Sequence, residues 1–305
     1  MSLKVSTGIR VLIGLLIVSL LIYFLDPARI LDTLLSINVI YLIPAFIVYA
    51  LTFLVLSYRW QNILADMGIH IPLTEAYSAF VGGVLISDIT PGRIGEFSRP
   101  LLVKNQSEGN KVFLSVILDR CMDLITIIIL GMLGTFVFIP VQGGKLLWAL
   151  CIPVAGLLIL VFLWHSRDHL QKIIALIGVS SLDNIVQKIN EAVIGVSSPK
   201  KMVLRSVILT VIAWCGHGIR VVIIAASLGY SVSAFALLFI LPLISALSIV
   251  PITISGLGLV EGSLAFFLSE FGLPLSAGLA IALLDRGVTV AFHLLVGLPA
   301  IKKIF

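Results

Sequence analysis

Long apolar runs separated by short polar segments dominate this sequence. Hydrophobic residues make up 60% of the 305-residue chain, charged residues only 11%, and the mean hydropathy is +1.19. A helix needs roughly 20 apolar residues to cross a hydrocarbon core of about 30 Å. We therefore predict an all-α polytopic membrane protein with about six spanning helices. The predicted spans are 8–25, 39–57, 112–139, 146–164, 204–228 and 275–300.

Two further apolar runs, 73–89 and 232–252, each end in a glycine-rich polar knot. If run 73–89 crossed the membrane, the basic residues that follow it would face outside, against the positive-inside rule. If it instead enters from the cytoplasm and turns back at "TPGRIG", only Arg29 and Lys145 of the 20 basic residues are external. We therefore predict two re-entrant helical hairpins in a multi-pass protein of the cell membrane, with both termini on the cytoplasmic side. Re-entrant backbone requires surrounding protein or a water-filled cavity.

Charged residues mark an internal repeat. The motif "GRIGE" ends at Glu96 and "ILDR" ends at Arg120, 24 residues later. The motif "GLGLVE" ends at Glu261 and "LLDR" ends at Arg286, 25 residues later. Each unit thus contains an apolar hairpin, a glycine-rich knot with a glutamate, and a helix with an Asp-Arg pair.

An arginine-bearing helix opens each unit of the repeat. The topology above makes the helix of Arg59 run from outside to inside and the helix of Arg220 run from inside to outside. The two units are therefore predicted to be inverted, as in many secondary transporters. Within a single transmembrane domain, 1–305, we predict an N-terminal helix and external linker (1–38), a first repeat (39–140), a connecting helix and cytoplasmic amphipathic loop (141–203) and a second repeat (204–305).

Charges at membrane depth are the candidate functional residues. Each costs about 2.5–3.5 kcal/mol on insertion scales, so it should pair or face water. Arginine binds phosphate bidentately and glycine knots can add amide donors, which predicts an anionic or phosphate-bearing lipid ligand. The predicted substrate-binding residues are Arg93, Glu96, Arg99, Asp119, Arg120, Asp123, His217, Arg220, Glu261, Asp285 and Arg286, and the predicted hinge or knot residues are Pro91, Gly92, Gly95, Gly256 and Gly258.

A purely structural interpretation of these charges stays open. Glu96 with Arg120, and Glu261 with Arg286, could be internal ion pairs that only hold the hairpins. If access alternates between the hairpins, one glutamate should be paired while the other takes up a proton, which would couple lipid movement to a proton gradient. Downhill scrambling, with the glutamates as tethers, is the alternative.

Several other functions find no support in the sequence. Cys121, Cys151 and Cys215 lack metal or disulfide spacing, and no nucleophile-elbow, zincin or Walker motif occurs, so neither a metal nor a cofactor is expected. A net charge of +5 fits a cytoplasmic face better than nucleic-acid binding. Helical apolar spacing in 165–205, the segment containing Lys188, predicts two amphipathic helices on the cytoplasmic surface.

Four motifs resemble a known family. "TPGRIGEFSRPLLVK", "VILDRCMDLI", "SGLGLVEGSLAFF" and "ALLDRGVTV" are similar to the flippase-like integral membrane family named for the transmembrane region of lysylphosphatidylglycerol synthases. The resemblance spans most of the chain. It implies a polytopic domain that moves or holds lipids with modified or glycosylated headgroups, alone or fused to lipid-modifying enzymes or glycosyltransferases. The chain ends at "IKKIF" with no soluble transferase domain, so we do not expect synthase activity.

Two classes of function follow from these features. A lipid translocator requires alternating access around the paired knots and no chemistry. A membrane-embedded transferase, or an accessory subunit of a lipid-modifying or glycosyl-transferring enzyme, is the alternative, with Glu96 or Glu261 as general base. The symmetry favours transport, because catalysis needs one site rather than two opposed hairpins. A scaffold for a partner enzyme would leave the charges without a role.

Overall fold

The computed structural model describes residues 7–90, 93–103, 109–142, 196, 198–248 and 252–302, without the side chains of 132 and 135–142. The long regular elements in these residues are helical, as predicted. In chain order they are α1 (Thr7–Phe24), α2 (Pro27–Leu35), a 3₁₀ turn (Val39–Tyr41), α3 (Leu42–Asp66), α4 (Leu73–Asp88), a 3₁₀ segment (Ile94–Leu102), α5 (Gly109–Gln142), α6 (Pro199–Ser227), α7 (Ala234–Leu247), α8 (Leu259–Glu270), α9 (Leu275–Phe292), a π turn (His293–Gly297) and α10 (Leu298–Lys302).

Several helical stretches in the described residues are long and apolar enough to span a bilayer. They match the predicted spans that begin at residues 8, 39, 204 and 275, so a multi-pass helical membrane protein is confirmed. Large apolar side chains such as Leu12 and Leu15 of α1 lie on the surface, as expected where lipid is the solvent. The four stretches are Thr7–Phe24, Val39–Asp66, Pro199–Ser227 and Leu275–Lys302.

The two remaining predicted spans have different outcomes. The run 112–139 lies within α5, which has 34 residues and carries Asp119, Arg120 and Asp123 in its first half. The length of α5 exceeds what a crossing needs. The run 146–164 and most of the amphipathic segment 165–205 lie outside the described residues, so a total of about six spans stays a prediction.

Two pairs of short helical segments occupy the predicted hairpin positions. In the first hairpin, α4 of 16 residues packs against the 3₁₀ segment of 9 residues. In the second hairpin, α7 of 14 residues packs against α8 of 12 residues. At 1.5 Å per residue, the longest of these elements reaches only about 24 Å, less than a hydrocarbon core of about 30 Å.

Helices α3 and α6, which open the two predicted repeats, pack together in antiparallel directions. Near one end of the contact Arg205 of α6 donates to Asp66 of α3, at 2.6 Å. Moving forward along α6 and backward along α3, Thr210 accepts from Arg59 at 2.6 Å. Further on, the Arg220 guanidinium lies 4.3 Å from the ring centre of Tyr49. Contacts that advance on one helix while they retreat on the other define an antiparallel pair.

Each hairpin packs into an apolar core of its own. The first core joins α3, α4 and the start of α5, with Trp60 and Phe80 fully or almost fully buried. The second core joins α6 to α9, with Ile224 and Leu279 fully buried. Phe292 of α9 belongs to the first core, so the last helix ties the second half of the chain to the first hairpin.

Glycines allow the tight turns of both knots. A Cβ atom at Gly95 would collide with backbone atoms of Ile86 and Ser87, so the returning 3₁₀ segment touches the end of α4 directly. In the second knot Gly256 and Gly258 have φ of 71° and 84°, a left-handed region that glycine adopts without strain. Pro91 and Gly92, the other predicted knot residues, lie outside the described residues.

Gly95→Ala is expected to destabilise the protein by about 1–3 kcal/mol or more, because the added methyl group meets backbone rather than a movable side chain. Gly287→Ala is the matched control. An added Cβ at Gly287, within α9, has no neighbour within 4 Å and should raise stability by about 0.5–1 kcal/mol through helix propensity. Thermal unfolding in detergent, followed by tryptophan fluorescence, compares them. Equal midpoints for the two variants would contradict the close approach at Gly95.

Candidate functional site

The first ion-pair cluster lies where α3, the 3₁₀ segment and α5 meet. Asp119 is its centre and is fully buried. Its Oδ1 lies 2.6 Å from Arg59 Nη2, and its Oδ2 lies 2.7 Å from Arg99 Nη1 and 2.9 Å from Arg120 Nη2. One carboxylate therefore neutralises part of three guanidinium groups. The cluster consists of Arg59, Glu96, Arg99, Asp119, Arg120 and Asp123.

Glu96, the glutamate of the first knot, completes this cluster. Its Oε2 lies 2.7 Å from Arg120 Nη1 and 2.8 Å from Arg99 Nη2. Arg99 is fully buried, and its guanidinium carbon lies 3.7 Å from the centre of the Phe80 ring on α4. The returning arm of the first hairpin is thus attached by ion pairs to α5 and by a cation–π contact to α4.

The second ion-pair cluster joins α6, the second knot and α9. Arg220 binds Asp285 with both ends of its fork, at 2.7 Å from Nε to Oδ1 and 2.9 Å from Nη2 to Oδ2. Its Nη1 lies 3.1 Å from Nδ1 of His217. Arg286 forms an ion pair with Glu261, and Glu261 also accepts the backbone N–H of Gly258 at 2.6 Å. The cluster consists of His217, Arg220, Glu261, Asp285 and Arg286.

The two clusters are equivalent position by position. Arg59 binds Asp119 as Arg220 binds Asp285, and Arg120 binds Glu96 as Arg286 binds Glu261. The first cluster has one further cation, Arg99, and one further anion, Asp123. Three residues after Glu261 and three after Arg286, the second unit has Leu264 and Thr289 instead. The second unit therefore lacks one positive and one negative charge that the first unit has, and both clusters are neutral.

The sequence-derived site is thus brought together in two groups. Both predicted glutamate–arginine pairs form, and Arg59, which we used only to mark the repeat, is a full member of the first group. The contact of Arg99 with Asp119 was not foreseen. Among the described residues, no group of three or more histidine, cysteine, aspartate or glutamate side chains could hold a metal ion.

A third polar group connects the two hairpins, and sequence reasoning missed it. Asp88 ends α4, and its Oδ2 lies 2.6 Å from Nδ1 of His293 in the π turn. Nε2 of His293 lies 2.9 Å from the hydroxyl of Tyr49 on α3. The hydroxyl of Ser255, in the second knot, donates to Oδ1 of Asp88 at 3.4 Å. The tips of the two hairpins are therefore in contact through Asp88.

Arg93, at the tip of the first hairpin, differs from the other candidate arginines. Within the described part of the chain, no carboxylate lies within 4.0 Å of its guanidinium. Its backbone is left-handed, with φ of 57°, and its side chain is partly exposed. It lies within electrostatic range of Tyr49 and His217, close to the contact between the hairpins. It is a cation next to two groups of arginines that are already neutralised.

Apolar helices of spanning length, short helical hairpins and two neutral clusters of buried charges define a multi-pass helical membrane protein. The chain belongs to the family of the lysylphosphatidylglycerol synthase transmembrane region, which matches residues 10–297. The match covers both hairpins and both clusters. It confirms the family resemblance seen in the four motifs.

Relatives of similar length occur in archaea. A UPF0104 membrane protein of Methanocaldococcus jannaschii is 24% identical, with 97% of this chain and 95% of the relative covered. One of Methanothermobacter thermautotrophicus is 22% identical, over 98% and 95% of the two chains. One of Pyrococcus horikoshii is 20% identical, over 94% of both. No solved structure matches the chain significantly.

Proposed function

We propose that this protein is a lipid transporter that binds a phosphate-bearing headgroup, of a modified phospholipid or a polyprenyl-phosphate-linked glycan, between its two hairpins. The antiparallel packing of α3 against α6, together with the equivalence of the two ion-pair clusters, carries the proposal. Two units of the same design in opposite directions are typical of transporters that open alternately to the two sides of a membrane.

The inverted repeat is supported by reciprocal contacts across α3 and α6. Arg59 contacts Thr210, which lies ten residues before Arg220, and Arg220 contacts Tyr49, which lies ten residues before Arg59. Reciprocal contacts of this kind are what a two-fold axis between equivalent helices produces. Together with the positive-inside rule, this arrangement supports the proposal that the first hairpin is re-entrant from the cytoplasm and the second from the outside.

A transport function also suits the state of the carboxylates. Glu96 accepts from two arginines, and Glu261 accepts from Arg286 and a backbone amide. A general base must lie within hydrogen-bond reach of its substrate, and the side chains of Glu96 and Glu261 are only 4% and 2% exposed. Glutamates held in this way serve better to fix the hairpins than to catalyse a transfer, so we propose no enzyme activity for this chain.

In the proposed site, Arg93 binds the phosphate of the headgroup. The arginines of the two clusters are engaged by carboxylates, whereas Arg93 has none among the described residues. A guanidinium stays charged at any physiological pH and matches phosphate geometry with two parallel hydrogen bonds. The proposed partners are therefore anionic membrane lipids, together with any lipid-modifying enzyme or glycosyltransferase that makes or uses them.

Arg93→Gln should reduce translocation by about ten- to a hundredfold, because a hydrogen bond to a charged group contributes about 1.5–3 kcal/mol. The assay uses liposomes with fluorescent phosphatidylglycerol or a fluorescent polyprenyl phosphate, and dithionite bleaches the outer leaflet. Arg29→Gln is the matched control, since Arg29 is 76% exposed on α2, far from both clusters in the chain. Equal loss in both variants, or none in either, contradicts the role of Arg93. A change of lipid mass in the same vesicles would instead indicate a transferase.

Cysteine labelling on intact cells tests the orientation. A cysteine at position 29, on α2, is expected to react with an impermeant maleimide added outside, because α2 follows the first span from a cytoplasmic N-terminus. A cysteine at position 188, which lies outside the described residues, should react only after the cells are opened. The reverse labelling pattern would contradict the proposed inverted orientation of the two repeats.

A further inference from the structure

The group of Tyr49, Asp88 and His293 is unlike the other charged groups at the hairpins. Each carboxylate of the two clusters binds at least one arginine, which never loses its proton in a protein. Asp88 binds a histidine instead, at 2.6 Å. Histidine is the side chain whose charge changes between about pH 5 and pH 8. This is therefore the carboxylate at the hairpin contact whose partner can gain or lose charge.

Both forms of His293 fit its surroundings. In the neutral form, Nδ1–H donates to Asp88 and Nε2 accepts the hydroxyl proton of Tyr49. When a proton is added at Nε2, that nitrogen becomes a donor to the Tyr49 oxygen, so the hydroxyl must turn its own hydrogen elsewhere. The added charge converts the hydrogen bond to Asp88 into an ion pair. The side chain of Asp88 is 22% exposed and that of His293 only 7%, so Asp88 is the more accessible member of the pair.

The charges around His293 come from several elements. Tyr49 on α3 and Asp88 on α4 contact it directly. From α6, His217 lies within electrostatic range of His293, and Arg220 lies over the Tyr49 ring. Asp285 on α9 binds Arg220, and Arg93 acts on both Tyr49 and His217. Arg220 cancels Asp285 and Arg93 offsets Asp88, so the region is neutral when His293 is neutral and carries one positive charge when it is protonated.

The position of His293 connects this group to both hairpins. It is the first residue of the π turn between α9 and α10, and wide turns of this kind occur frequently at functional sites. The same α9 carries Asp285 and Arg286 of the second cluster. Asp88 ends the first arm of the first hairpin and accepts from Ser255 in the knot of the second. Protonation at one imidazole can therefore act on the contact between the two tips.

We infer that Asp88, His293 and Tyr49 form a proton-binding site, and that proton binding there strengthens the hold of α9 on the first hairpin and shifts the contact between the hairpin tips. The bound species is a proton added at Nε2 of His293, with no covalent bond formed or broken elsewhere. The proton site itself does not depend on the proposed transport function. Its role in the cycle does rest on that function, and this role is to let an anionic headgroup move together with a proton.

Spin labels on the two tips test the inference without any transport measurement. Ile89 and Ile252 are 68% and 51% exposed and flank the Asp88–Ser255 contact. In a chain whose 3 cysteines are replaced by serine, both positions are changed to cysteine, labelled and measured by pulsed electron spin resonance in nanodiscs from pH 5 to pH 8. If one conformation binds the proton about tenfold more tightly than the other, protonation changes the ratio of their populations by about tenfold. We expect the ratio of the closer to the more distant population to rise by about this factor between pH 8 and pH 5.

Matched variants locate the titrating group. Asp88→Asn and His293→Gln should abolish the pH response, and Tyr49→Phe should shift its midpoint, because it removes the hydroxyl without changing the packing. His70→Gln, at an exposed histidine between α3 and α4, should leave the response intact. A response unchanged in Asp88→Asn overturns the inference, as does a pH-independent distribution in the parent protein. Should His293→Gln not fold, Asp88→Asn and Tyr49→Phe still decide.

The two proposals can fail separately. A protein with a pH-dependent tip distance but no lipid movement in liposomes would keep the proton site and lose the transport function. Lipid movement with no pH-dependent distance would do the opposite. The liposome assay is therefore run on the same labelled protein, with and without an imposed pH gradient.

Discussion

Asp119→Asn is expected to lower the free energy of unfolding by about 3–5 kcal/mol, the range observed when one partner of a buried ion pair is removed. Asp119 is fully buried, and its carboxylate contacts Arg59, Arg99 and Arg120. The amide has the same shape but no charge, so three guanidinium groups would be left with two carboxylates. Thermal unfolding in detergent, followed by tryptophan fluorescence, should show a clearly lower midpoint.

The second unit supplies the control for this prediction. The double variant Arg99→Leu with Asp123→Thr gives the first cluster the residue types that the second unit has in Leu264 and Thr289. It removes one charge of each sign and keeps the cluster neutral. Its loss of stability should be smaller than that of Asp119→Asn and smaller than the sum of its two single variants. A double variant as unstable as Asp119→Asn would mean that neutrality is not what holds the cluster together.

The helical architecture and the two glutamate–arginine pairs could be predicted because their signals lie in the sequence itself. A run of about 20 apolar residues indicates a spanning helix whatever it packs against. Glu96 and Arg120 could be paired with each other because nearly the same spacing, 25 residues instead of 24, recurs between Glu261 and Arg286. Charged side chains at membrane depth cost free energy, so their recurrence at matching positions indicates that they are paired or functional.

The contacts that sequence reasoning missed have no local signal. Asp88 and His293 are 205 residues apart, and neither has a counterpart in the other unit that would have linked them. Their contact depends on how α9 lies against the first hairpin, which packing of the whole molecule decides. Arg99 was predicted as a ligand residue, but its fully buried contacts with Phe80 and Asp119 were not predicted.

The two hairpins also differ in a way that the repeat did not predict. The returning arm of the second is an α-helix of 12 residues, whereas that of the first is a 3₁₀ segment with Pro100 inside it. Proline lacks the N–H that an α-helix needs at that position. Gly95 lets the start of the segment approach the backbone of α4 directly. The equivalent glutamates Glu96 and Glu261 thus lie on backbone of different helical type.

Arg120→Ala and Arg286→Ala are each expected to reduce lipid translocation to near background while the protein still folds. Arg120 is the tie between Glu96 of the first knot and α5, and Arg286 is the tie between Glu261 of the second knot and α9. The side chains of both arginines are 24% exposed, so water can enter the space that they leave and partly solvate the glutamate. The loss of stability should therefore be smaller than for Asp119→Asn. The hairpin that loses its tie can no longer hold its tip in register with the other.

Lysine replacements separate the charge of these two arginines from their geometry. Arg286 also donates to the carbonyl of Ser255 at 3.3 Å, and Arg120 contacts Asp119 and Asp123 as well as Glu96. A lysine keeps the charge but has a single nitrogen, so it can restore the pair with the glutamate and not the additional contacts. We therefore expect Arg120→Lys and Arg286→Lys to recover part of the translocation of fluorescent phosphatidylglycerol in liposomes, with the larger recovery at 286, where fewer contacts are lost. If both alanine variants transport at the parent rate, the hairpins do not need these ties, and the lipid path must be sought outside the two clusters.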